Sequence, residues 1–154
     1  MIRPSTLLPM SLVALVALCG AGALAAGCSS GDGTLSQQVR SWAGNSGWTS
    51  TMTTMSGDLG RLSSIQSESP GVRRTVCDVL VTDALNANQQ LPTPDTSLTE
   101  LLSQAYTRAG DAGRDCYAGG ARLALAPAEQ HQAQRLLVEA EARYDSITSS
   151  LGGQ

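Results

Sequence analysis

The sequence offers few side chains that could carry out chemistry, and the first candidates are one histidine and a spaced pair of carboxylates. His131 is the only histidine, so a zinc site would lack a second imidazole, and a surface position is the favoured interpretation. Asp111 and Asp115 are four residues apart, which places both on one helix face, where two carboxylates can act as acid and base. Arg108 and Arg114 lie nearby, so a solvent-exposed charge cluster is favoured instead. We predict no catalytic residue and no enzymatic activity.

Patterns that could bind a metal or a phosphate are weak. Met52 and Met55 could supply thioether ligands for Cu(I), but the same residues belong to the apolar stripe of their own helix, so core packing is favoured. Asp78 and Asp83 follow a pair of arginines by about one helical turn, which is typical of a solvated helix face. No glycine-rich loop follows a predicted strand to bind phosphate. The sequence therefore predicts neither a metal site nor a cofactor.

Composition narrows the remaining function classes. The chain has 154 residues, ten cations that are all arginine, and thirteen acidic residues, for a formal charge of −3. A mildly acidic chain lacks the clustered cations that binding to nucleic acid requires, so no nucleic-acid partner is expected. The apolar content of 42% argues against general disorder. Abundant Ala, Gly and Arg, without Lys or Phe, indicate a GC-rich genome and an actinobacterial source.

The N-terminal region has the pattern of an export signal. Arg3 precedes a long apolar stretch, residues 7–27, which ends in small residues and is followed by the polar residues 29–33. A charged start, an apolar centre and a small-residue end are typical of a secretory signal. The segment Leu24-Ala25-Ala26-Gly27-Cys28 resembles the lipobox of bacterial lipoproteins, in which the cysteine is lipidated and becomes the first residue of the mature chain. The pattern departs from the commonest lipobox at Ala25, where leucine is usual.

The resemblance, which covers only the export segment, implies a signal peptide over residues 1–27 and a lipidated Cys28. We predict a flexible linker over 28–34 and a helical domain over 35–154. Acyl chains such as palmitate on Cys28 would hold the protein at the extracytoplasmic face of the cell membrane. Cleavage removes 27 of 154 residues and one of ten cations, so 127 residues with a formal charge of −4 remain. Anchoring must then come from the lipid, because anionic headgroups do not attract an acidic domain.

Other routes at the N-terminus stay open. Cleavage after Ala23 or Ala25 would release the chain without a lipid, since both positions end a small-x-small pattern. An uncleaved membrane helix is a further alternative, because about 21 apolar residues just span a bilayer, although Pro9 weakens it. Cys19 is a poorer lipidation site than Cys28, because the bulky Leu18 directly precedes it.

Beyond residue 33 the apolar residues repeat at helical spacing, and the alternation of a β-strand is nearly absent. We predict an all-α fold, a small antiparallel helical bundle with three to four main helices joined by short loops. The second stripe is the least convincing, because its segment is rich in threonine and contains two glycines. The apolar stripes cover residues 35–42, 48–62, 77–91, 98–116 and 133–151.

The cysteines outside the lipobox predict a disulfide. Cys19 leaves with the signal and Cys28 carries the lipid, so Cys77 and Cys116 remain as one pair, which is expected to be oxidised outside the cytoplasm. Closing a loop of about 40 residues stabilises by roughly 3–4 kcal/mol. The distance along the helix from the turn at Pro92–Pro94 forward to Cys116 exceeds the distance back to Cys77 by about 10 Å. Either the linker stands off from the bundle, or the helices cross at a marked angle.

Two groups of residues are candidates for an interaction surface. Trp42 and Trp48 flank a glycine-containing break, and exposed tryptophan often anchors an interface. Pro92 and Pro94 stiffen the connection over residues 91–95, because each proline restricts the residue before it. Burial of both tryptophans in the core and a plain helix connector are the favoured structural alternatives.

The lipobox-like segment, the Ser/Gly linker and the helical body with two cysteines resemble small lipoproteins of actinobacteria, most of them without an assigned function. This resemblance transfers no activity. We predict a non-catalytic interaction or scaffold module of the cell envelope, bound to the membrane through the lipid on Cys28 and to an envelope protein. The alternative is a helical bundle that carries or senses an apolar small molecule or lipid between its helices. The oligomeric state stays open.

Overall fold

The computed structural model describes residues 33–149, which form α-helices and contain no β-strand. The prediction of an all-α fold is confirmed for this part of the chain. The predicted signal peptide over 1–27, the lipidation site Cys28 and most of the linker over 28–34 lie outside the described residues, as does Leu151. No helix among residues 33–149 is long and apolar enough to cross a membrane. The helices are α1 (Leu35–Ser46), α2 (Trp48–Leu62), α3 (Pro70–Asn88), α4 (Thr96–Ala118) and α5 (Ala126–Ser149), with short 3₁₀ segments at Ile65–Ser67 and Gly120–Ala124.

Residues 33–149 contain five α-helices where three to four main helices were predicted, and Gly47 separates the first two. Gly47 has a φ of +68°, a left-handed conformation that glycine adopts without strain, and its amide closes α1 by donating to the Ala43 carbonyl. The next helix begins at the following residue. The threonine-rich segment then forms α2 in full, because the five apolar residues of its stripe are all buried. Packing therefore outweighs the low helix propensity of threonine and glycine.

A side chain caps the start of α3 and the start of α4. Ser69 caps α3 by accepting a hydrogen bond from the Val72 amide, and Pro70 occupies the first helical position, where no amide donor is needed. Asp95, Thr96 and Ser97 were the sequence candidates for capping α4. Asp95 is the cap, since its carboxylate accepts from the Leu98 amide at 2.7 Å.

The core of the described region is built around α4, whose main neighbours are α3 and α5. Its buried face has leucine in the first turns and mostly alanine and glycine after them, with Tyr106 as its buried aromatic residue, so neighbouring helices can approach closely along its second half. The predicted stripes of α3, α4 and α5 are buried at most of their positions. Residues that are at least 98% buried on these helices include Cys77, Leu80, Ala87, Leu98, Leu102, Ala105, Ala109, Ala112, Cys116, Ala133 and Ala140.

The connection between α3 and α4 packs against the helices instead of standing off from them. Its central residue, Thr93, is buried, and its amide donates to the Thr99 hydroxyl at 2.9 Å in the first turns of α4. Residues 91–95 lie outside both helices, and Asp95 has extended backbone angles. Of the two alternatives that the unequal distances of the cysteines left open, a linker that stands off from the bundle does not agree with the buried Thr93.

Candidate functional site

Trp42 and Trp48, two of the candidate interaction residues, belong to one aromatic cluster with Tyr144 of α5. Their ring centroids are 5.6 Å apart, and Trp48 stacks on Tyr144 at 5.5 Å. Trp48 is 6% exposed and forms part of the core, whereas Trp42 is partly exposed. The indole N–H of Trp42 donates to the carbonyl of Gln90 at 3.1 Å. The cluster therefore joins α1, α2 and α5 to the start of the connection between α3 and α4.

The two prolines of this connection, Pro92 and Pro94, are exposed on either side of the buried Thr93. The Thr93 hydroxyl donates to the Asp95 carbonyl at 2.7 Å and lies 3.0 Å from the Thr99 hydroxyl. These bonds fix the backbone between the prolines. The result is a short, internally bonded loop with two proline rings at its surface, next to Trp42.

A groove of about 510 Å³ lies beside Pro94, where the described chain begins. The side chain of Gln38 donates to the Gly33 carbonyl at 3.0 Å, which fixes the chain at the entrance to α1. None of the residues that line the groove is charged, and its surface mixes apolar atoms with amide and hydroxyl groups. The residues that line it are Gly33, Gln37, Gln38, Ser41 and Pro94.

An ion pair beneath the loop connects it to α5. Arg143 donates to both carboxylate oxygens of Asp95, from Nε to Oδ1 at 3.0 Å and from Nη2 to Oδ2 at 2.7 Å. Asp95 is buried, while the Arg143 side chain is about one third exposed. The hydrogen bond from Arg143, together with the bond from the Leu98 amide, lowers the pKa of Asp95 despite its burial. The loop is thereby held to two helices at once.

Cys77 and Cys116 are both fully buried, with their sulfur atoms at disulfide distance and their Cα atoms 5.8 Å apart. The sequence thus identified the correct partners. Gly113, one turn before Cys116 on α4, faces the backbone carbonyl of Cys77. A Cβ atom at this glycine would lie 2.9 Å from that oxygen, so the missing side chain allows the close approach that brings the two sulfur atoms together.

The two aspartates considered for acid–base chemistry each form an ion pair, but Asp115 is buried, so the predicted solvent-exposed charge cluster is wrong for this residue. Asp111 lies 2.7 Å from a guanidinium nitrogen of Arg114, and Asp115 lies 2.9 Å from one of Arg122. His131 is exposed near the start of α5. Within residues 33–149, neither aspartate forms an ion pair or a hydrogen bond with His131.

The two methionines considered for copper are buried in the core face of α2, Met52 at 5% and Met55 at 1% exposure. Within residues 33–149, no three His, Cys, Asp or Glu side chains are grouped as a metal site would require. Asp78 is exposed on α3, whereas Asp83 is partly buried and faces α2.

The sequence analysis missed Asp58, which is the acidic residue of α2 and is only 5% exposed. Its Oδ1 lies 3.4 Å from Arg61, and its Oδ2 has no hydrogen-bond donor. Burial is the main cause that raises the pKa of Asp58, and the neighbouring carboxyl of Asp83 raises it further. The available signal was a carboxylate placed three residues after Met55, inside an otherwise apolar face. Two carboxyl groups therefore share the contact between α2 and α3.

A second missed residue is Gln130 of α5, which is 4% exposed. Its amide donates to the Leu59 carbonyl at 2.7 Å and to the Ser63 hydroxyl at 2.8 Å. These bonds satisfy backbone at the end of α2, where carbonyl groups lack helical partners. Nothing in the sequence around Gln130, which directly precedes His131, indicated this role.

Two clefts lie between helices of the described region. The cleft between α3 and α4 has a volume of about 100 Å³ and borders Tyr106, and the cleft between α2 and α3 has about 150 Å³ and borders Asp83. Burial raises the pKa of Tyr106 to about 12, so the phenol stays protonated. Both volumes are below the roughly 300–1,000 Å³ of common small-molecule sites. Neither cleft has the size expected for a carrier of lipids.

Comparison with known proteins found no matching family model, no matching curated protein and no matching solved structure. A function must therefore be inferred from the residues and their geometry. The distinctive features are the two cysteines at bonding distance, the proline loop with its ion pair, and the uncharged groove where the chain enters α1.

Proposed function

We propose that the protein is a lipoprotein held at the extracytoplasmic face of the cell membrane by acyl chains on Cys28. Its helical domain acts as a non-catalytic interaction or scaffold module of the cell envelope. The observation that carries this proposal is a combination: a lipobox-like segment precedes a domain whose two cysteines have their sulfur atoms at disulfide distance. Disulfides persist in oxidising compartments, so both features favour export. The arginine-only cation content supports an actinobacterial source.

We further propose that the domain is an antiparallel helical bundle. In support, Cys77 in the first half of α3 meets Cys116 near the end of α4. Asp95 at the start of α4 meets Arg143 near the end of α5. Each contact joins the first half of one helix, or its cap, to the last part of the next, as neighbouring antiparallel helices require.

Exposed apolar residues support a role in protein binding. Val72 opens α3, Tyr117 closes α4, and Leu125 directly precedes α5, and each is about half exposed. Val72 lies five residues before Cys77, and Tyr117 directly follows Cys116. Tyrosine presents a large apolar area with a polar tip, which is why it is enriched at interfaces. An envelope protein that binds these residues would bury side chains that water now contacts.

The alternative function, a bundle that carries an apolar small molecule or lipid, has less support. The interhelical clefts of about 100 and 150 Å³ are small for such a ligand. A mass measurement on the intact protein separates the two functions, because a bound ligand adds mass that is released on activation.

The test is native mass spectrometry of the full protein extracted gently from its own membranes. We expect a chain that begins at Cys28, carries acyl groups, and is two hydrogens lighter than the reduced form. Cys28→Ser should abolish acylation, while Cys19→Ser serves as the matched control and should leave the mature product unchanged. An unacylated chain beginning after Ala23 or Ala25 would contradict the lipid anchor.

Outcomes for the bound state are also distinct. An oxidised, acylated chain that elutes with a second protein supports the interaction module, and chemical crosslinking then identifies the contact. A detachable small mass on the same chain would support the carrier instead. Turnover of any substrate that is lost on changing Asp111 or His131 would contradict the non-catalytic assignment.

A further inference from the structure

The domain has two ends that are defined by the residues that meet there. We call the groove residues Gly33, Gln37, Gln38, Ser41 and Pro94 the tether surface, because the chain from Cys28 enters the domain at this point. The last turns of α5 lie alongside, since the guanidinium of Arg40 donates to the Thr148 carbonyl.

The opposite end is marked by Cys116 and the exposed Tyr117. Cys116 is 20 residues along α4 from its first residue, Thr96, and the helix is continuous over that length. A rise of 1.5 Å per residue places the two ends about 30 Å apart. When α4 is directed away from the membrane, Tyr117 and the tether surface therefore lie at different distances from the bilayer.

The length of chain before the tether surface limits how far it can be from the lipid. Only five peptide steps separate Cys28 from Gly33. In any conformation such a segment spans at most about 18 Å, because an extended chain advances no more than about 3.6 Å per residue. This reach is well below the length of α4. An acylated Cys28 at the bilayer surface would keep the tether surface close to the headgroups.

The chemistry of the tether surface suits that position. Between residues 33 and 57 the only charged side chain is Arg40, and there is no carboxylate. Asp95, at the edge of the surface, is buried and neutralised by Arg143. The exposed Asp145 lies in the last turns of α5 alongside, so the part suited to contact with anionic headgroups is the uncharged tether surface itself, whose amides and hydroxyl can form hydrogen bonds with headgroups and interfacial water.

We propose that the tether surface faces the headgroups of the bilayer and that Tyr117 is directed away from it, toward a protein partner. This inference rests on the proposed function, because it requires a lipid on Cys28. It assigns the prolines of the loop to the membrane side and leaves the end near the cysteines as the partner side. The short tether acts as an orienting element and not only as an attachment.

The experiment uses the full, acylated protein with photoreactive p-benzoylphenylalanine in place of Gln38 or, as the matched control, Tyr117. Both side chains are exposed. Each variant is reconstituted into vesicles of phosphatidylcholine and phosphatidylglycerol, irradiated, and analysed for lipid adducts by mass spectrometry. We expect several-fold more lipid adduct at position 38 than at position 117. Equal labelling, or more labelling at position 117, would overturn the proposed orientation.

A variant with a longer tether tests whether the short tether causes the orientation. Insertion of about twenty Gly/Ser residues between Asp32 and Gly33 lets the domain move freely above the bilayer. The labelling at position 38 should then fall toward that at position 117, and a preference that persists would overturn the orienting role of the tether. The intact mass distinguishes failure of the proposed function from failure of the proposed orientation. A chain without acyl groups refutes the proposed function, whereas an acylated chain with equal labelling refutes only the orientation.

Discussion

Gly113 on α4 lies against Val81 on α3 so closely that no side chain fits between them. A Cβ atom at Gly113 would be 2.7 Å from the Cγ2 of Val81 and 2.9 Å from the carbonyl oxygen of Cys77. Contacts this short require the two helices to move apart. The glycine is therefore a packing residue, and it lies within one helical turn of Cys116.

We expect Gly113→Ala to lower the free energy of unfolding by about 1–3 kcal/mol, because the added methyl group overpacks the contact between α3 and α4. Urea denaturation followed by circular dichroism measures the change. Gly110→Ala is the matched control on the same helix. Its Cβ would meet only the flexible end of Arg114 at 3.3 Å, so the higher helix propensity of alanine should make it neutral or stabilising. Equal losses in both variants would contradict the packing role of Gly113.

The carboxylate of Asp95 should make stability depend on acid pH. Its pKa is lowered from the ordinary 3.8 by the hydrogen bonds from Arg143 and the Leu98 amide. Its contribution is complete above pH 3.8 and is lost as the pH falls through the lowered value in the folded state. Asp95→Asn keeps an oxygen that can cap α4 but removes the titration, so its stability should vary less in this range. Denaturation midpoints of both proteins between pH 2 and 5 test this.

Asp95→Ala separates the cap from the charge. This variant loses the bond to the Leu98 amide as well as the ion pair, and loss of an N-cap costs about 1–2 kcal/mol. We therefore expect it to be less stable than Asp95→Asn at neutral pH. If the two variants unfold at the same urea concentration, the cap contributes nothing measurable.

Asp58 should have the opposite pH dependence. Its pKa is raised by burial and by the neighbouring Asp83, so the folded state favours the protonated carboxyl. The associated stability is complete below the ordinary value of 3.8 and is lost as the pH rises through the raised value. Asp58→Asn removes this loss and supplies an amide donor toward Asp83, which should stabilise the protein at pH 7 by about 1 kcal/mol. Asp78→Asn, on the exposed face of α3, is the control, and it should change the free energy of unfolding little. A destabilised Asp58→Asn protein with an unchanged pH profile would refute the role given to Asp58.

The apolar periodicity of the sequence was sufficient to predict the all-α fold and most of the buried faces, but not the number of helices. In α2 the residues Met52, Met55 and Leu59 are spaced for one face, and all three are buried. Asp58 on the same helix shows the limit of this reasoning. Its burial depends on where α3 lies, and local spacing contains no such information. The contact between Asp95 and Arg143, 48 residues apart, is of the same kind.

The candidate surface was predicted only in part for a related reason. Trp42 and Trp48 have equivalent sequence signals, yet Trp48 is buried because Tyr144 of α5 stacks on it. The partnership of Cys77 and Cys116 followed from counting cysteines, which needs no geometry. The path of the connecting loop did not follow, because the bonds of its buried threonine to the first turns of α4 determine it.

The cysteine pair gives the last prediction. Cys77 and Cys116 are separated by 39 positions, and cross-linking a loop of this length stabilises a domain by roughly 3–4 kcal/mol through the entropy of the unfolded chain. The double variant Cys77→Ala/Cys116→Ala should therefore unfold at a clearly lower urea concentration than the oxidised protein. Addition of a reductant should move the unmodified protein toward the variant and leave the variant unchanged. Two free thiols in the unmodified protein under denaturing, non-reducing conditions would show that the pair is not oxidised, and export would lose its structural support.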